Sequence, residues 1–401
     1  MMGELKKMRT EKMNKPHYQN TMYACFVGYI VQAIVNNFVP LLFVTFQTSY
    51  SIPLSQITIL ITINFAIQLL IDLLSAKFVD KIGYRTSVII AHACSAAGLI
   101  LLTILPEVFP SAFAGIVVSV AIYAVGGGLI EVVVSPIVDS LPGEKKAASM
   151  SLLHSFYCWG QMAVVLITTA LLSAGLAWRW LPLLWAAIPL ANAFFFMLVP
   201  INMPVEEKHA SVLRVLKDKG IYLFIILMFC AGAAELAISQ WASLFAESGL
   251  KLSKASGDIF GPCLFAACMG TARLFFGFAG KRLKIKNALM ASAGLCVIGY
   301  LIAGLSPWPA LALGGCALCG LAVGLMWPGT ISLCARSNTH GASIFGLLAM
   351  AGDIGCVLGP ALVGFVSDGA AEGLQTGMLA ATVFPILMLI ALSILRRRDN
   401  G

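Results

Sequence analysis

Long apolar runs separated by short polar stretches recur from one end of the chain to the other. Each run is about 20 residues or longer, the length a helix needs to cross a hydrocarbon layer roughly 30 Å thick. Several polar breaks contain Pro or Gly, such as Pro106, Pro110 and Pro142, which favour turns. Splitting the sequence at these breaks predicts twelve membrane helices, at residues 21–46, 55–76, 86–105, 111–138, 150–174, 180–199, 221–246, 255–279, 287–305, 309–334, 341–366 and 374–395.

The composition supports this interpretation. Of the 401 residues, 59% are hydrophobic and 11% are charged, whereas a soluble domain is about half apolar and about a quarter charged. This excess of apolar residues is larger than a buried core requires. The 37 glycines suit helices that pack closely in lipid. The predicted fold class is therefore an all-α membrane protein.

Lys and Arg are distributed very unevenly over the predicted topology. Of the 26 such residues, 22 lie on one side, Arg273 lies near a helix end, and three lie on the other side: Arg179, Lys251 and Lys254. Cytoplasmic loops are the ones enriched in Lys and Arg. The sequence therefore predicts a multi-pass protein of the cell (cytoplasmic) membrane with both termini cytoplasmic. A cleavable signal is not expected, because the first apolar run is too long for one.

Several classes of protein are disfavoured. The net charge of +8 comes from short loops without interleaved aromatic residues, which argues against nucleic-acid binding. The eleven cysteines are scattered through apolar segments, and the pair Cys316 and Cys319 has no nearby His or carboxylate, which argues against a zinc site or a disulfide framework. No nucleophile elbow or phosphate loop appears. We therefore expect neither an enzyme nor a metal site, cofactor or nucleic-acid partner.

The longest polar break, residues 200–220, divides the predicted helices into two groups of six. The two groups resemble each other weakly, since residues 72–85 align with residues 273–286 at an offset of 201. Many secondary transporters consist of two such halves with the solute site between them. The predicted organisation is a cytoplasmic tail, a first six-helix bundle, a cytoplasmic linker, a second six-helix bundle and a cytoplasmic tail, at residues 1–20, 21–199, 200–220, 221–395 and 396–401.

The stretch from Ser75 to Arg85 resembles the loop between helices two and three of the major facilitator superfamily. It reads Ser-Ala-Lys-Phe-Val-Asp-Lys-Ile-Gly-Tyr-Arg, where that family has Gly-x-x-x-Asp-Arg/Lys-x-Gly-x-Arg/Lys, so Ala76 replaces the first Gly. The resemblance implies the major facilitator fold, with twelve transmembrane helices in two pseudo-symmetric six-helix bundles. It also implies a gating role for Asp80, Lys81, Gly83 and Arg85. Gly83 suits a tight turn, and we expect Asp80 to pair with Arg85 or with a helix N-terminus.

Three further segments are similar to the fucose permease branch of that superfamily, whose members are proton-linked sugar symporters. They are Glu131-x-x-x-x-Pro136 in helix four, Leu153-His-Ser-Phe156 in helix five and Met326-Trp-Pro328 in helix ten. The resemblance implies sugar symport. That branch often has an acidic residue on helix one where this chain has Asn37, so this second protonatable site is absent.

Two ionisable residues within the predicted helices are candidates for proton coupling. Charged side chains in a bilayer are costly and usually face a cavity or a partner. Glu131 lies mid-helix in an apolar run, where a carboxyl group favours its protonated form. His154 lies one turn into helix five and is able to relay protons. The alternatives are a Glu held by a neighbouring helix and a His that only packs.

Polar and aromatic residues on predicted helices one, five, seven and ten suit a polyhydroxylated solute, because amides and carboxylates bond hydroxyl groups and aromatic rings stack on apolar faces. Residues 154, 157, 158 and 161 share one helical face. Ordinary interhelical packing is the alternative interpretation for each residue. The predicted substrate-binding residues are Gln32, Asn36, Asn37, Tyr157, Gln161, Glu235, Gln240, Trp241 and Trp327.

Three more ionisable residues are predicted to act in gating. Asp72 and Arg273 occupy matching positions in the two halves. Asp353 lies among glycines on helix eleven, which indicates close helix contact. Both pairing with a base and lining of the cavity remain open for Asp353.

These observations predict a secondary active transporter that moves a small polar solute, expected to be a sugar, by alternating access with proton symport. The expected partners are this solute, the lipid bilayer and a coupling ion, either a proton or Na⁺, and we expect a monomer. A drug–proton antiporter on the same fold is the main alternative, although helix five lacks the Gly-x-x-x-Gly-Pro stretch frequent in such exporters. A non-transporting membrane sensor is a third hypothesis.

Overall fold

The computed structural model describes residues 18–142, 146–201, 220–279, 284–337, 343–370 and 373–400. Residues 1–17 and Gly401 lie outside these ranges, and so does most of the predicted linker at 200–220. Within them the chain forms twelve helices of membrane-spanning length and no strand. We number them α1 (Tyr18–Tyr50), α2 (Leu54–Ile82), α3 (Tyr84–Val108), α4 (Ala112–Ser140), α5 (Lys146–Ser173), α6 (Trp178–Leu198), α7 (Ile221–Gly249), α8 (Lys254–Gly277), α9 (Ile285–Leu305), α10 (Pro309–Ser337), α11 (Ser343–Asp368) and α12 (Leu374–Arg397).

These helices confirm the predicted fold class and the predicted number of spans. Most ends agree within a few residues; α9, for example, runs over Ile285–Leu305 against a prediction of 287–305. The largest extension is in α2, which continues to Ile82 and stops where Gly83 adopts a φ of 85°. A residue with a Cβ atom is disfavoured at that φ, so the predicted tight turn at Gly83 is present.

The two six-helix bundles repeat the same packing. In the first bundle α1 packs against α4, α5 and α6, and α3 packs against α4. In the second, α7 packs against α10, α11 and α12, and α9 packs against α10. Each pair thus has a counterpart six helices further on. The bundles meet mainly where α2 contacts α11 and α5 contacts α8.

Four helices lie at the centre of the molecule. The share of apolar span that is buried is 83% in α1, 78% in α7 and 61% in both α4 and α10, against 39–50% in the other eight. Because lipid is as apolar as a Leu side chain, hydrophobic periodicity does not identify the inward faces of such helices. The inward faces of these central helices are therefore identified by their contacts in the tertiary structure.

The two central helices α1 and α7 are interrupted at matching depths. The first helical segment of α1 ends at Asn37, and a 3₁₀ turn, Val39–Leu42, follows with Pro40 inside it. The first segment of α7 ends at Ser239, and a π-helical turn, Phe245–Gly249, follows a short segment. Discontinuous helices in corresponding positions of two repeats are a known feature of transporter binding sites.

Glycines bring α11 against α7. A Cβ atom on Gly355 would lie 2.1 Å from the carbonyl oxygen of Phe229, and one on Gly359 would lie 2.4 Å from that of Ala233. Such separations are far below van der Waals contact, so only glycine allows this approach. The predicted close contact of the Asp353 segment is thereby present.

Candidate functional site

Because the number of crossings is even, the start of α1 and the end of α12 lie on one side of the molecule, which we call the terminal face. The other side is the opposite face. At the centre, Arg273 of α8 binds Glu235 of α7. Its Nη2 atom lies 3.0 Å from Oε1 and 2.9 Å from Oε2 of the carboxylate. The two side chains are only 12% and 9% exposed. Each charge of a pair this deep in the protein is stabilised by the other. Loss of one partner therefore destabilises the folded protein strongly.

Glu131 of α4 lies beside the predicted helix-one residues. Gln32 donates its Nε2–H to Glu131 Oε2 at 2.8 Å. One turn further along α1, the hydroxyl groups of Tyr29 and Ser135 are 2.8 Å apart, and the ring of Tyr29 meets the ring of His154 edge-on at 5.2 Å. Each of the two predicted proton-coupling residues therefore contacts the same turn of α1, Glu131 through Gln32 and His154 through Tyr29.

The predicted polar face of α5 points into the interface between the bundles. Tyr157 accepts a hydrogen bond from Asn37 Nδ2 at 3.2 Å. Gln161 donates to Ser239 Oγ of α7 at 3.1 Å, which joins the two bundles directly. Cys158 lies against Gly270 of α8. The helical spacing used in the sequence thus identified a face that the tertiary structure uses.

A layer of amides lies between this centre and the opposite face. Asn36 Oδ1 accepts from Gln68 Nε2 at 2.8 Å, and Gln240 donates to the Asn36 carbonyl oxygen at 3.1 Å. Gln240 therefore connects the interruption of α7 to α1. Asn64, Asn36 and Gln240 line a small cavity with room for a water-sized guest.

Three carboxylates from three helices converge below the amide layer, towards the terminal face. Asp72 of α2, Glu131 of α4 and Asp353 of α11 each place a carboxylate oxygen within 4.8 Å of the others. All three side chains are partly exposed. The sequence predicted coupling for Glu131 and gating for the two aspartates, but no pattern indicated that they meet. Among the described residues, none of the three forms an ion pair with a base.

The opposite face is closed by contacts between the bundles. Lys254 of α8 donates to the Leu41 carbonyl oxygen of α1 at 2.5 Å. Thr169 of α5 donates to Asp258 of α8 at 2.6 Å, and Asp258 is 1% exposed. Next to the interruptions of α1 and α7, the ring centroids of Phe43 and Trp241 lie 6.0 Å apart. We call the Lys254, Asp258 and Thr169 contacts the outer clasp.

The two predicted stacking residues have different surroundings. Trp241 is fully buried, and its indole N–H donates to the Pro360 carbonyl oxygen at 2.9 Å. In this conformation it packs between helices. Trp327 of α10 is partly exposed and lies against Gly352, next to Asp353 in the chain. This contact places it beside the segment of α11 that carries Asp353. Both substrate-binding assignments stay predictions.

At the terminal face, Arg85 binds the end of α6. Its guanidinium donates to the carbonyl oxygens of Phe196, Met197 and Val199 at 2.7, 2.9 and 2.8 Å. A cation suits a helix C-terminus, where carbonyl groups lack intrahelical donors. Lys81 is exposed. The side chain of Asp80 is outside the described part of the structure, so its expected pairing stays a prediction.

Sequence reasoning missed several residues of this region. Tyr29, Asn64, Gln68, Ser239 and Asp258 all contact predicted site residues or join the bundles. A single amide or hydroxyl, or for Asp258 a carboxyl group, on a long apolar helix was the only available signal. Such a residue does not distinguish an inward face from an interhelical bond.

Residues 24–360 match the sequence profile of the Major Facilitator Superfamily. The chain belongs to this family. The match covers most of the chain and includes all the predicted site residues. The search of curated proteins found no match.

Solved structures of Major Facilitator Superfamily transporters share this fold at low sequence identity. The E. coli fucose:proton symporter FucP, in the outward conformation, is 18% identical, with 93% of this chain and 98% of that chain covered and a TM-score of 0.66. The E. coli xylose transporter XylE, partially occluded and inward open, is 12% identical, with 95% and 97% covered and a TM-score of 0.76. The nucleoside transporter NupG is 15% identical, with 94% and 99% covered and a TM-score of 0.74.

Proposed function

We propose that this transporter moves a small polar solute, a sugar, across the cell membrane by alternating access coupled to proton symport. The main support is a set of enclosed polar atoms without hydrogen-bond partners among the described residues: Asn64 Oδ1, Gln161 Oε1 and Arg273 Nε. An unpartnered buried polar atom costs about 1–3 kcal/mol. A hydroxyl-rich solute offers both donors and acceptors to such atoms, which an apolar drug does not.

The distribution of charge supports an orientation with the terminal face in the cytoplasm. Lys81, Arg85, Lys284 and Lys286 lie at that face, while Arg179, Lys251 and Lys254 lie at the other. Because cytoplasmic loops are the basic ones, both termini are then cytoplasmic. The outer clasp then closes the extracellular side, and the partly exposed carboxylates face the cytoplasm.

In this orientation the transporter is inward-facing, that is, closed on the extracellular side and open towards the cytoplasm. This assignment has further support. The TM-score is 0.76 with the inward-open XylE structure and 0.66 with the outward FucP structure. A difference of this kind is expected when two bundles with the same internal packing are tilted differently. The conformation described here is, in this proposal, the one that exchanges solute and proton with the cytoplasm.

Glu131 is the proposed coupling residue. It lies on a central helix, is partly exposed and has one hydrogen-bond donor, Gln32, from the facing helix. A carboxyl group that alternates between a dry and a wet environment binds a proton in the first and releases it in the second. His154 lies nearby across Tyr29 and is the proposed relay.

A sugar is the proposed solute class because amides, carboxylates and a guanidinium surround the centre. The printed names of the similar structures include fucose, xylose and nucleoside transporters, all with polyhydroxylated ligands. These names apply to those proteins and support the class for this chain without identifying the sugar. A thermal-shift screen of purified protein against sugars, nucleosides, amino acids and drugs is the first experiment.

Uptake into proteoliposomes then tests coupling. An imposed pH gradient, acidic outside, should drive accumulation of the identified solute by the wild type. Glu131→Gln keeps a carbonyl oxygen for Gln32 but has no titratable proton, so it should abolish accumulation and leave solute counterflow intact. Glu107→Gln, at an exposed carboxylate that binds Arg179, is the matched control. Undiminished gradient-driven uptake by Glu131→Gln contradicts the assignment, and export of a hydrophobic dye would favour the antiporter.

A further inference from the structure

We propose that the terminal-face ends of α9 and α12 form a binding site for the headgroup of an anionic phospholipid. Four basic residues lie there, which we call the basic patch: Lys284 and Lys286 at the start of α9, and Arg396 and Arg397 at the end of α12. The site is additional to the proposed solute site. It depends on the proposed function only through the cytoplasmic position of the terminal face.

Helix packing brings the two ends of the basic patch together. α9 packs against α12, and Lys286 donates from its Nζ atom to the Leu395 carbonyl oxygen of α12 at 3.3 Å. Leu395 directly precedes Arg396 in the chain. The basic start of α9 therefore lies beside the basic end of α12, although more than 100 residues separate them in the sequence.

The first bundle has the same contact without the additional charge. Lys286 aligns with Arg85 at the offset of 201, and each side chain binds carbonyl oxygens at the end of the sixth helix of its bundle. The end of α6 contains no basic residue, whereas α12 continues into three consecutive arginines, Arg396 to Arg398. Because one cation suffices for the shared contact, this contact does not account for the arginines of the second bundle.

The protein itself supplies little negative charge to the basic patch. Among the described residues, Lys284, Arg396 and Arg397 form no ion pair, and all three are exposed. The sequence has no acidic residue within 20 positions of Lys284, and Asp399 is the only one within 20 positions of Arg397. One carboxylate leaves most of the positive charge uncompensated. The basic patch therefore fits an anionic partner from outside the chain.

The adjoining surface of α12 favours a lipid as this partner. Ile386, Ile390 and Ile394 are 42%, 51% and 42% exposed, and their spacing of four residues places them in one stripe along the helix. Arg397 follows on the same face, three residues after Ile394, where the apolar span ends. A phospholipid whose acyl chain lies along this stripe has its headgroup at the level of Arg397.

The charge of the basic patch selects the class of phospholipid. A guanidinium group binds a phosphate group through two parallel hydrogen bonds. The phosphate of phosphatidylcholine is accompanied by a cation of its own headgroup, whereas phosphatidylglycerol has a net negative charge. Anionic lipids of the cytoplasmic leaflet attract basic segments next to membrane helices. Phosphatidylglycerol is therefore the expected occupant.

Native mass spectrometry of the purified full-length protein tests this site without any solute. The protein is incubated with equal amounts of phosphatidylglycerol and phosphatidylcholine that have identical acyl chains. We expect selective retention of one phosphatidylglycerol and no displacement by inorganic phosphate. Dihexanoyl phosphatidylglycerol should bind more weakly, because its short chains cover less of the apolar stripe.

Substitutions locate the bound lipid. One basic residue near an anionic lipid contributes a factor of about five in affinity. Arg397→Gln should therefore lower the affinity about fivefold, and the triple variant with Lys284→Gln and Arg396→Gln about a hundredfold. Arg397→Lys keeps the charge and should retain most of the affinity. Lys81→Gln, which removes an exposed cation at the terminal face of the first bundle, is the matched control and should leave the affinity unchanged.

Several results would overturn the proposal. They are equal retention of the two lipids, displacement by inorganic phosphate, and equal losses in Lys81→Gln and Arg397→Gln. Size-exclusion profiles check folding, and the single variants keep the test valid if the triple variant does not fold. Solute counterflow is measured in parallel. Counterflow without selective phosphatidylglycerol binding refutes the lipid site alone, whereas selective binding without flux of any screened solute refutes the transport proposal alone.

Discussion

Thr169 of the first bundle donates a hydrogen bond of 2.6 Å to Asp258 of the second, and Asp258 also accepts from Ser243 of α7 at 2.5 Å. Lys254 reaches the same carboxylate at 3.1 Å. The acid is 1% exposed, and these three partners hold its carboxylate in place. This contact joins the bundles at the opposite face, where the transporter is closed.

Removing the Thr169 hydroxyl should open the opposite face. A hydrogen bond to a charged group contributes about 1.5–3 kcal/mol. Thr169→Val should therefore raise the population of the state that is open at the opposite face about tenfold or more. Spin labels introduced at Ser111 and Trp308, in loops of different bundles at that face, should show longer distances by pulsed electron paramagnetic resonance. The labelling background replaces the cysteines that are not fully buried: Cys94, Cys268 and Cys356.

Thr48→Val is the control for this measurement, since the Thr48 hydroxyl bonds only carbonyl groups of its own helix. It should leave the distance distribution unchanged. A Thr169→Val distribution identical to the wild type would remove the outer clasp from the gating scheme.

Loss of either partner of the Arg273–Glu235 pair should destabilise the protein strongly. Breaking a buried pair on one side costs about 3–5 kcal/mol, because the other charge stays uncompensated. Glu235→Ala and Arg273→Ala should each lower the Tm by several degrees, and the double variant should recover part of that loss while transport stays absent. A thiol-reactive dye suits the measurement, because eight of the eleven cysteines are buried.

The exposed pair Arg179–Glu107 provides the comparison, with side chains 49% and 43% exposed. Exposed pairs contribute little, so Glu107→Ala should barely change the Tm. If Glu107→Ala and Glu235→Ala lower the Tm equally, burial of the central pair is not the source of its contribution.

The contact of α7 with α11 should tolerate no side chain at Gly355. Its added Cβ would meet the Phe229 carbonyl oxygen at 2.1 Å, and overpacking of this kind costs about 1–3 kcal/mol. Gly355→Ala should therefore lower the Tm. Gly346→Ala, on the same helix with open space around it, should not. Equal Tm values for the two variants would mean that α11 shifts freely against α7.

Gln161 should contribute to solute affinity. Its Nε2 bonds Ser239, and its Oε1 has no partner among the described residues. Loss of one hydrogen bond to a neutral hydroxyl costs about 0.5–1.5 kcal/mol, so Gln161→Leu should raise the KM roughly two- to tenfold at unchanged expression. Gln19→Leu, at an exposed residue bonded to Tyr23, is the control. An unchanged KM for Gln161→Leu would remove this residue from the binding site.

The sequence by itself determined the twelve spans, because a bilayer demands a local property, about 20 consecutive apolar residues, that is visible in any window of the chain. It also identified the turn at Gly83 and the polar faces of α1 and α5, since helical spacing relates residues within one element. These are statements about neighbours in sequence.

Only the tertiary structure decided which residues meet across helices. Asp72, Glu131 and Asp353 come from three helices of two bundles, and Arg273 meets Glu235 across 38 positions of the chain. A helix surrounded by lipid or by other apolar helices carries no hydrophobic stripe that reveals its rotation. The partners of each buried charge therefore follow from how the helices are rotated and tilted against one another, which depends on contacts distributed over the whole molecule.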